Sequence, residues 1–194
     1  LDLNGDDLPQ SSEDTGLVTD AQGHFSGTVY GAGSLMAVGG SETTGAQTSL
    51  NLVTLVAPAG ASVISPLSTL LERLIASGLT PTAAQTALKT SLSLPSGVDL
   101  TSFDPSAAAN ANANGLAVQK AISELAVVLV AVGDANLVLD AMVTQVKGGG
   151  PLQLGDTVAL ENLLAGVGDN GSLVDRIVAV NGAIAAAGSI AAVA

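Results

Sequence analysis

Ser65-Pro-Leu-Ser-Thr-Leu-Leu-Glu-Arg-Leu-Ile-Ala-Ser-Gly78 is the stretch at which the periodicity of the sequence changes. A serine followed by proline favours the start of a helix, because the hydroxyl can cap free N–H groups and proline fixes the first helical φ angle. Five apolar residues then recur at helical spacing and form one stripe: Leu67, Leu70, Leu71, Leu74 and Ile75. We therefore predict a helix that begins after Ser65 and stops at Gly78.

The chain after Gly78 repeats this pattern of helix start and stop signals. The pattern predicts an Ala-rich multi-helix bundle over residues 65–194 with about six helices. Thr80-Pro81 and Asp104-Pro105 indicate two further helix starts, the first with a stop at Pro95 and the second leading into an Ala-rich segment. Later N-caps are predicted at Asp134, Asp156 and Ser172, and breaks at the glycines of 148–150 and 168–171. The inward face of the Ala-rich helix is predicted to hold Ile122, Leu125, Leu129 and Val132.

The chain before Ser65 is typical of short strands separated by Gly-rich or polar turns. The predicted strands are residues 17–19, 24–30, 34–38 and 49–56. We therefore expect an α+β fold of two units, a small β-sandwich-like unit over residues 1–64 and the helical bundle over residues 65–194.

Charge and composition limit the function. The chain has 17 acidic and 5 basic residues, a net charge of −12, and no Lys or Arg precedes Arg73, whereas eight acidic residues do. Phosphate backbones and anionic lipids select clustered bases, so we expect neither nucleic acid nor a membrane surface as a partner. The chain has no Cys, which excludes disulfides and zinc–thiolate sites. Divalent cations are the natural counter-ions.

Enzymatic sites are poorly supported by the residue inventory. His24 is the one imidazole, and the G-x-S-x-G motif of serine hydrolases does not occur in the sequence. Phe25, Tyr30 and Phe103 are the aromatic residues, too few to line a sugar-binding cleft. We therefore expect a protein that is not an enzyme.

The acidic start of the chain has the ligand spacing of a calcium loop. Asp2, Asn4 and Asp6 would occupy loop positions 1, 3 and 5, with the Leu8 carbonyl at position 7 and Glu13 as the closing acid at position 12. Gln10 falls at position 9, and Asp14 and Asp20 are candidate extra ligands. Asp7 stands where such loops usually have glycine, and Pro9 follows, so a helix–loop–helix is not expected. The alternative is a solvated acidic terminus without an ion.

Asp2-Leu-Asn4-Gly-Asp6, followed by Val18-Thr-Asp-Ala-Gln-Gly-His-Phe25, resembles the pattern of B-type repeat and carboxypeptidase-regulatory-like β-sandwich modules of bacterial surface adhesins. The stretch from Val38 to Leu70 is similar to a segment of large exported adhesins and calcium-dependent surface proteins. The resemblance covers about the first 72 residues. It implies a calcium-binding module in which Asp2, Asn4 and Asp6 match ion ligands and Asp20 matches a turn aspartate.

Taken together, these features predict a calcium-stabilised structural or adhesive module of an exported bacterial protein, located outside the cell or on its surface. The expected partners are neighbouring domains of a larger surface protein or another surface component. The alternative is a binding protein that holds an apolar or small-molecule ligand among its helices, walled by Leu125, Leu129, Val132 and Leu137. The most apolar stretch, residues 115–133, contains Lys120 and Glu124, so we expect a buried helix there and no membrane span.

Overall fold

The computed structural model describes residues 1–6, 8–20, 23–28, 31–39, 41–44, 47–50, 54–166 and 171–193. Within them the chain has a mixed α+β fold of six α-helices and two two-stranded antiparallel sheets. The strands are β1 (Leu35–Ala37), β2 (Ser41–Thr44), β3 (Gln47–Leu50) and β4 (Leu55–Ala57). The helices are α1 (Pro66–Ala76), α2 (Pro81–Ser91), α3 (Ala113–Ala131), α4 (Ala135–Lys147), α5 (Thr157–Leu163) and α6 (Gly171–Ala186), with short 3-10 turns at Ala108–Asn110 and Ile190–Ala192.

The described part of the N-terminal region contains less regular structure than its sequence predicts. β1 pairs with β4 and β2 with β3, so the described residues show antiparallel pairing but no sandwich of packed sheets. The strand predicted at 17–19 is wrong, and so is the described part of the one predicted at 24–30; residues 29–30 and 51–53 lie outside the described residues. A polar turn replaces these strands: Asp20 Oδ1 accepts from the His24 N–H, and the Asp20 N–H donates to the His24 carbonyl.

Helix α1 begins and ends as predicted. Ser65 Oγ accepts from the Ser68 N–H at 3.2 Å, and Ser68 Oγ accepts from the Ser65 N–H at 2.8 Å, which makes a reciprocal capping box. The helix stops before Gly78, whose φ of 100° is a left-handed conformation that other residues rarely adopt. The predicted apolar stripe faces the core, since Leu70, Leu71 and Leu74 are fully buried.

The core of the molecule lies among the helices, with α1 in contact with α2, α3 and α4. The predicted N-caps at Thr80, Asp134 and Asp156 are confirmed, because each side chain accepts a hydrogen bond from the first turn of its helix. The predicted inward face of α3 is also found, with Leu125, Leu129 and Val132 buried and Ile122 half-buried.

Two predicted helix starts are wrong. Asp104 does not open α3, because its Oδ1 accepts from the N–H and the hydroxyl of Ser106 in a local turn. Asn112 caps α3 instead and accepts from two N–H groups of the first turn. Ser172 does not cap α6, since it lies inside a helix that starts at Gly171.

Helix α3 is long and apolar enough, by length and composition, to cross a membrane. Its 18-residue window has a mean hydropathy of 1.4, and 33% of that window is buried. In the structure α3 contacts α1, α4 and α6, and its Leu125 and Leu129 are part of the shared core.

Sheet and helix are joined by side-chain hydrogen bonds at the start of α1. The Val56 N–H donates to Thr69 Oγ1 at 2.9 Å, and the Val56 carbonyl accepts from Ser68 Oγ at 3.0 Å and from Thr69 Oγ1 at 3.1 Å. All three residues are buried. Buried main-chain groups are costly without partners, so these two hydroxyls stabilise the outer edge of β4 against the helix.

Candidate metal centre

The acidic loop at the start of the chain brings three carboxylates together. Asp2, Asp6 and Glu13 each place an oxygen within 4.8 Å of the others. Asp2 is 3% and Glu13 7% exposed, whereas Asp6 is open to solvent. Three like charges at this distance repel one another, most strongly where burial reduces screening by water.

The loop acquires its shape from hydrogen bonds between side chains and nearby main-chain groups. Asp2 Oδ1 accepts from the Gly5 N–H at 2.7 Å, Asn4 Oδ1 from the Asp6 N–H at 3.0 Å, and Asp6 Oδ1 from the Leu8 N–H at 2.9 Å. Gly5 has a φ of 76°, which glycine adopts without steric cost. These turns place the side chains of Asp2 and Asp6 on the same side of the loop as Glu13.

Glu13 closes the loop from ten residues further along the chain. Its Oε1 accepts from the Leu3 N–H at 2.9 Å, and its carbonyl accepts from the terminal ammonium of Leu1 at 2.9 Å. Its Oε2 is buried and has no hydrogen-bond partner among the described residues. A buried carboxylate oxygen without a donor is energetically costly, and a bound cation is one way to remove that cost.

The other predicted ligands have different surroundings. Asp14 Oδ1 accepts from the Gly16 N–H at 2.8 Å, and Asp20 lies in the turn to His24, so neither belongs to the cluster of three carboxylates. Leu8 is 61% exposed, and its carbonyl stays a predicted ligand. Gln10 donates from Nε2 to Asp6 Oδ2 at 2.7 Å and thus steadies the cluster from its rim.

The loop is tied to the helical bundle through contacts that sequence reasoning missed. The Asp2 N–H donates to the Ser34 carbonyl at 2.8 Å, and Ser34 Oγ donates to Oε1 of Glu72 on α1 at 2.8 Å. The Asp2 carbonyl lies so close to Gly33 that a Cβ there would be 2.0 Å from the oxygen. The sequence around Gly33 and Ser34 does not reveal these contacts, because the contacting residues are more than thirty positions apart.

The single histidine and the apolar residues considered as the walls of a ligand site lie outside the acidic loop. His24 is exposed, and its Nδ1 lies 3.5 Å from Asp20 Oδ2 in a local pair. Leu125, Leu129 and Val132 are in the packed core, but Leu137 is 43% exposed, so the four side chains do not surround one interior cavity.

No protein-family model, curated protein or solved structure matches this chain. The geometry of the loop therefore carries the functional argument.

Proposed function

We propose that this chain is a non-enzymatic structural or adhesive module of an exported bacterial cell-surface protein, and that it binds calcium at the acidic loop. The observation that supports this most is the buried Glu13 Oε2, which has no donor among the described residues and belongs to a cluster with Asp2 and Asp6. A cation in this cluster would neutralise the repulsion and satisfy that oxygen together.

The donor set favours calcium over other metals. Every candidate ligand is an oxygen: the carboxylates of Asp2, Asp6 and Glu13, the Asn4 amide and the Leu8 carbonyl. Calcium accepts six to eight oxygens in a flexible shell, whereas zinc and copper prefer the nitrogen and sulfur ligands that this loop lacks. Magnesium requires a near-ideal octahedron and keeps its waters, which suits a loop of mixed donors less well.

The ion would act as a clamp on the N-terminal segment. Asp2 and Glu13 hold the two ends of the loop, and the Asp2 main chain is bonded to Ser34, which in turn bonds Glu72 on α1. Calcium at the loop would therefore hold the segment before β1 against the helical bundle. A structural role of this kind requires no catalytic residue.

The location outside the cell follows from the same proposal. Weak calcium loops are filled where calcium is about millimolar, as it is outside cells. The resemblance of residues 1–72 to adhesin modules supports a place in a larger surface protein for this chain, in which short antiparallel strands precede a helical bundle. Its neighbours there, or another surface component, would be its partners.

Thermal unfolding tests the proposal. A site with a Kd of about 10⁻⁴ M, at about millimolar calcium, stabilises the folded chain by about 1.4 kcal/mol. We expect the melting temperature to fall in chelator and to recover with calcium but not with an equal concentration of magnesium. An unchanged melt in calcium and chelator would contradict the calcium site.

A further inference from the structure

Asparagine followed by glycine is a chemically reactive pair, and this chain contains four such pairs. Because the glycine lacks a Cβ, its main-chain nitrogen can reach the asparagine side chain and close a succinimide ring on the Cγ atom. The four pairs are Asn4-Gly5, Asn114-Gly115, Asn170-Gly171 and Asn181-Gly182. Asn170 lies outside the described residues, so three pairs have a described conformation.

Two of these three pairs lie in helices, which hold the reacting atoms apart. Gly115 is in the first turn of α3, and its N–H donates to the Asn112 side chain at 3.2 Å. Asn181 is fully buried in α6, and its Nδ2 donates to the Leu154 carbonyl at 2.7 Å. A helical ψ angle turns the next main-chain nitrogen away from the side-chain Cγ atom, and ring closure would break hydrogen bonds of the helix. We therefore expect both pairs to be stable in the folded chain.

The third pair, Asn4-Gly5, lies in a turn whose hydrogen bonds activate both reacting groups. The Asp6 N–H donates to Asn4 Oδ1 at 3.0 Å, so it polarises the side-chain amide and stabilises the negative charge that attack at Cγ brings to this oxygen. Asn4 Nδ2 donates to Asp6 Oδ2 at 3.0 Å, which fixes the plane of the amide. The Gly5 N–H donates to Asp2 Oδ1 at 2.7 Å, and this charge-assisted bond raises the electron density on the attacking nitrogen.

We propose that Asn4 is a self-modification site, at which the folded loop converts the asparagine into aspartate and isoaspartate. The Gly5 nitrogen forms a bond to Asn4 Cγ, the Cγ–Nδ2 bond breaks, and the amide nitrogen leaves as ammonia. The proton lost by the Gly5 nitrogen passes through water to the departing ammonia. Water then opens the ring: opening at Cγ gives aspartate, and opening at the main-chain carbonyl gives isoaspartate, whose main chain runs through the former side chain. The reaction consumes only water.

The consequence for calcium rests on the proposed function, whereas the conversion itself does not. Asn4 stands at position 3 of the proposed calcium loop, where its Oδ1 would be a ligand. Ring closure would require this oxygen to leave the shell of a bound ion. Calcium at about ten times the Kd leaves about a tenth of the chains without the ion and should therefore slow the conversion about tenfold. Isoaspartate lengthens the main chain before Gly5, which displaces Asp6 and should weaken calcium binding.

Incubation of the full chain near neutral pH in chelator, followed by peptide mapping with mass spectrometry, tests the self-modification. A parallel sample unfolded in urea gives the rate of each pair without the folded structure. We expect Asn4 to convert in the folded chain at least as fast as in urea, whereas Asn114 and Asn181 should convert at least tenfold more slowly when folded. Slower conversion of Asn4 in the folded chain than in urea would overturn the proposal.

Two matched variants test the activation by the turn. Asp2→Asn keeps an oxygen acceptor for the Gly5 N–H but loses its charge, so the conversion of Asn4 in chelator should become slower. Asp14→Asn changes a carboxylate that bonds the Gly16 N–H outside this turn, and it should leave the rate at Asn4 unchanged. An equal rate in the Asp2→Asn variant and the natural chain would overturn activation by the loop.

The same incubation in calcium separates this proposal from the calcium site. Conversion of Asn4 that is about tenfold slower in calcium than in chelator supports both. Equal rates in calcium and in chelator would contradict the calcium site and leave the self-modification in place. No conversion of Asn4 in chelator, over a time in which the urea-unfolded chain converts, would overturn the self-modification whatever the effect of calcium.

Discussion

Glu13→Gln is expected to stabilise the chain in chelator, and calcium is expected to reduce that advantage. The glutamine can keep the acceptor for the Leu3 N–H, but it removes one negative charge from a cluster whose oxygens lie within 4.8 Å. At that distance two unit charges repel by about 1 kcal/mol in water and by about 3 kcal/mol at an effective dielectric constant of about 20. Because Asp6 is open to solvent, the lower figure applies to its pair with Glu13. Asp2 is buried like Glu13, so the higher figure applies to that pair.

Without calcium, the variant should therefore be more stable than the natural chain by up to about 4 kcal/mol. With calcium at about ten times the Kd, the natural chain gains about 1.4 kcal/mol and the variant, lacking the closing ligand, gains little. The advantage of the variant is thus expected to shrink by about 1.4 kcal/mol in calcium.

Urea unfolding followed by circular dichroism, in chelator and in calcium, measures both differences. Asp14→Asn is the matched control, since Asp14 is the next acid in the sequence and lies outside the cluster. It should respond to calcium as the natural chain does. A Glu13→Gln variant that is destabilised in chelator and still stabilised by calcium would refute the assignment of Glu13 as the closing ligand.

Two further predictions concern the helices. Gly115→Ala should destabilise the chain despite the better helix propensity of alanine, because a Cβ at this position would lie 1.9 Å from the Asn110 carbonyl oxygen. Gly182→Ala is the matched control: its Cβ would meet open space, so this variant should raise the free energy of unfolding by about 0.5–1 kcal/mol. Equal effects of the two variants in urea unfolding would contradict the Gly115 contact. Burial raises the pKa of the Glu124 carboxyl above its usual 4.5, although the charge of Lys120 acts in the opposite direction. The folded chain therefore binds this proton more readily than the unfolded chain does, and the free energy of unfolding falls as pH rises from the usual pKa through the folded pKa. Glu124→Gln should therefore stabilise the chain at neutral pH, and the difference in stability between the variant and the natural chain should be lost below the usual pKa of the carboxyl. Urea unfolding curves at neutral pH and below that pKa measure this difference. A variant that is less stable than the natural chain at neutral pH would contradict the prediction.

The helices could be predicted where their signals are local. The capping box at Ser65 and Ser68 and the caps at Thr80, Asp134 and Asp156 each use a side chain within three residues of its acceptor or donor. The start of α3 was missed because two polar residues compete for the cap within eight positions. Asp104 satisfies its own turn, and the chain then needs Asn112 to begin the helix.

In the candidate site, too, the features that are local in the sequence could be predicted and the long-range contacts could not. The spacing of Asp2, Asp6 and Glu13 along a short loop could be recognised, because ligand positions in such loops follow the sequence directly. The anchoring of the loop by Ser34 and Glu72 could not be predicted, because these residues meet only after α1 has packed beside β4, the strand that pairs with β1. The strands expected at 17–19 and 24–28 failed for a related reason, since local Asp20 hydrogen bonds outcompeted sheet pairing.

Isothermal titration calorimetry of the chain with calcium measures whether the acidic loop binds the ion. We expect one calcium ion per chain with a Kd of about 10⁻⁴ M, binding that persists in excess magnesium, and loss of that binding in Glu13→Gln but not in Asp14→Asn. No calcium binding at millimolar concentration, or the same binding in Glu13→Gln, would contradict it.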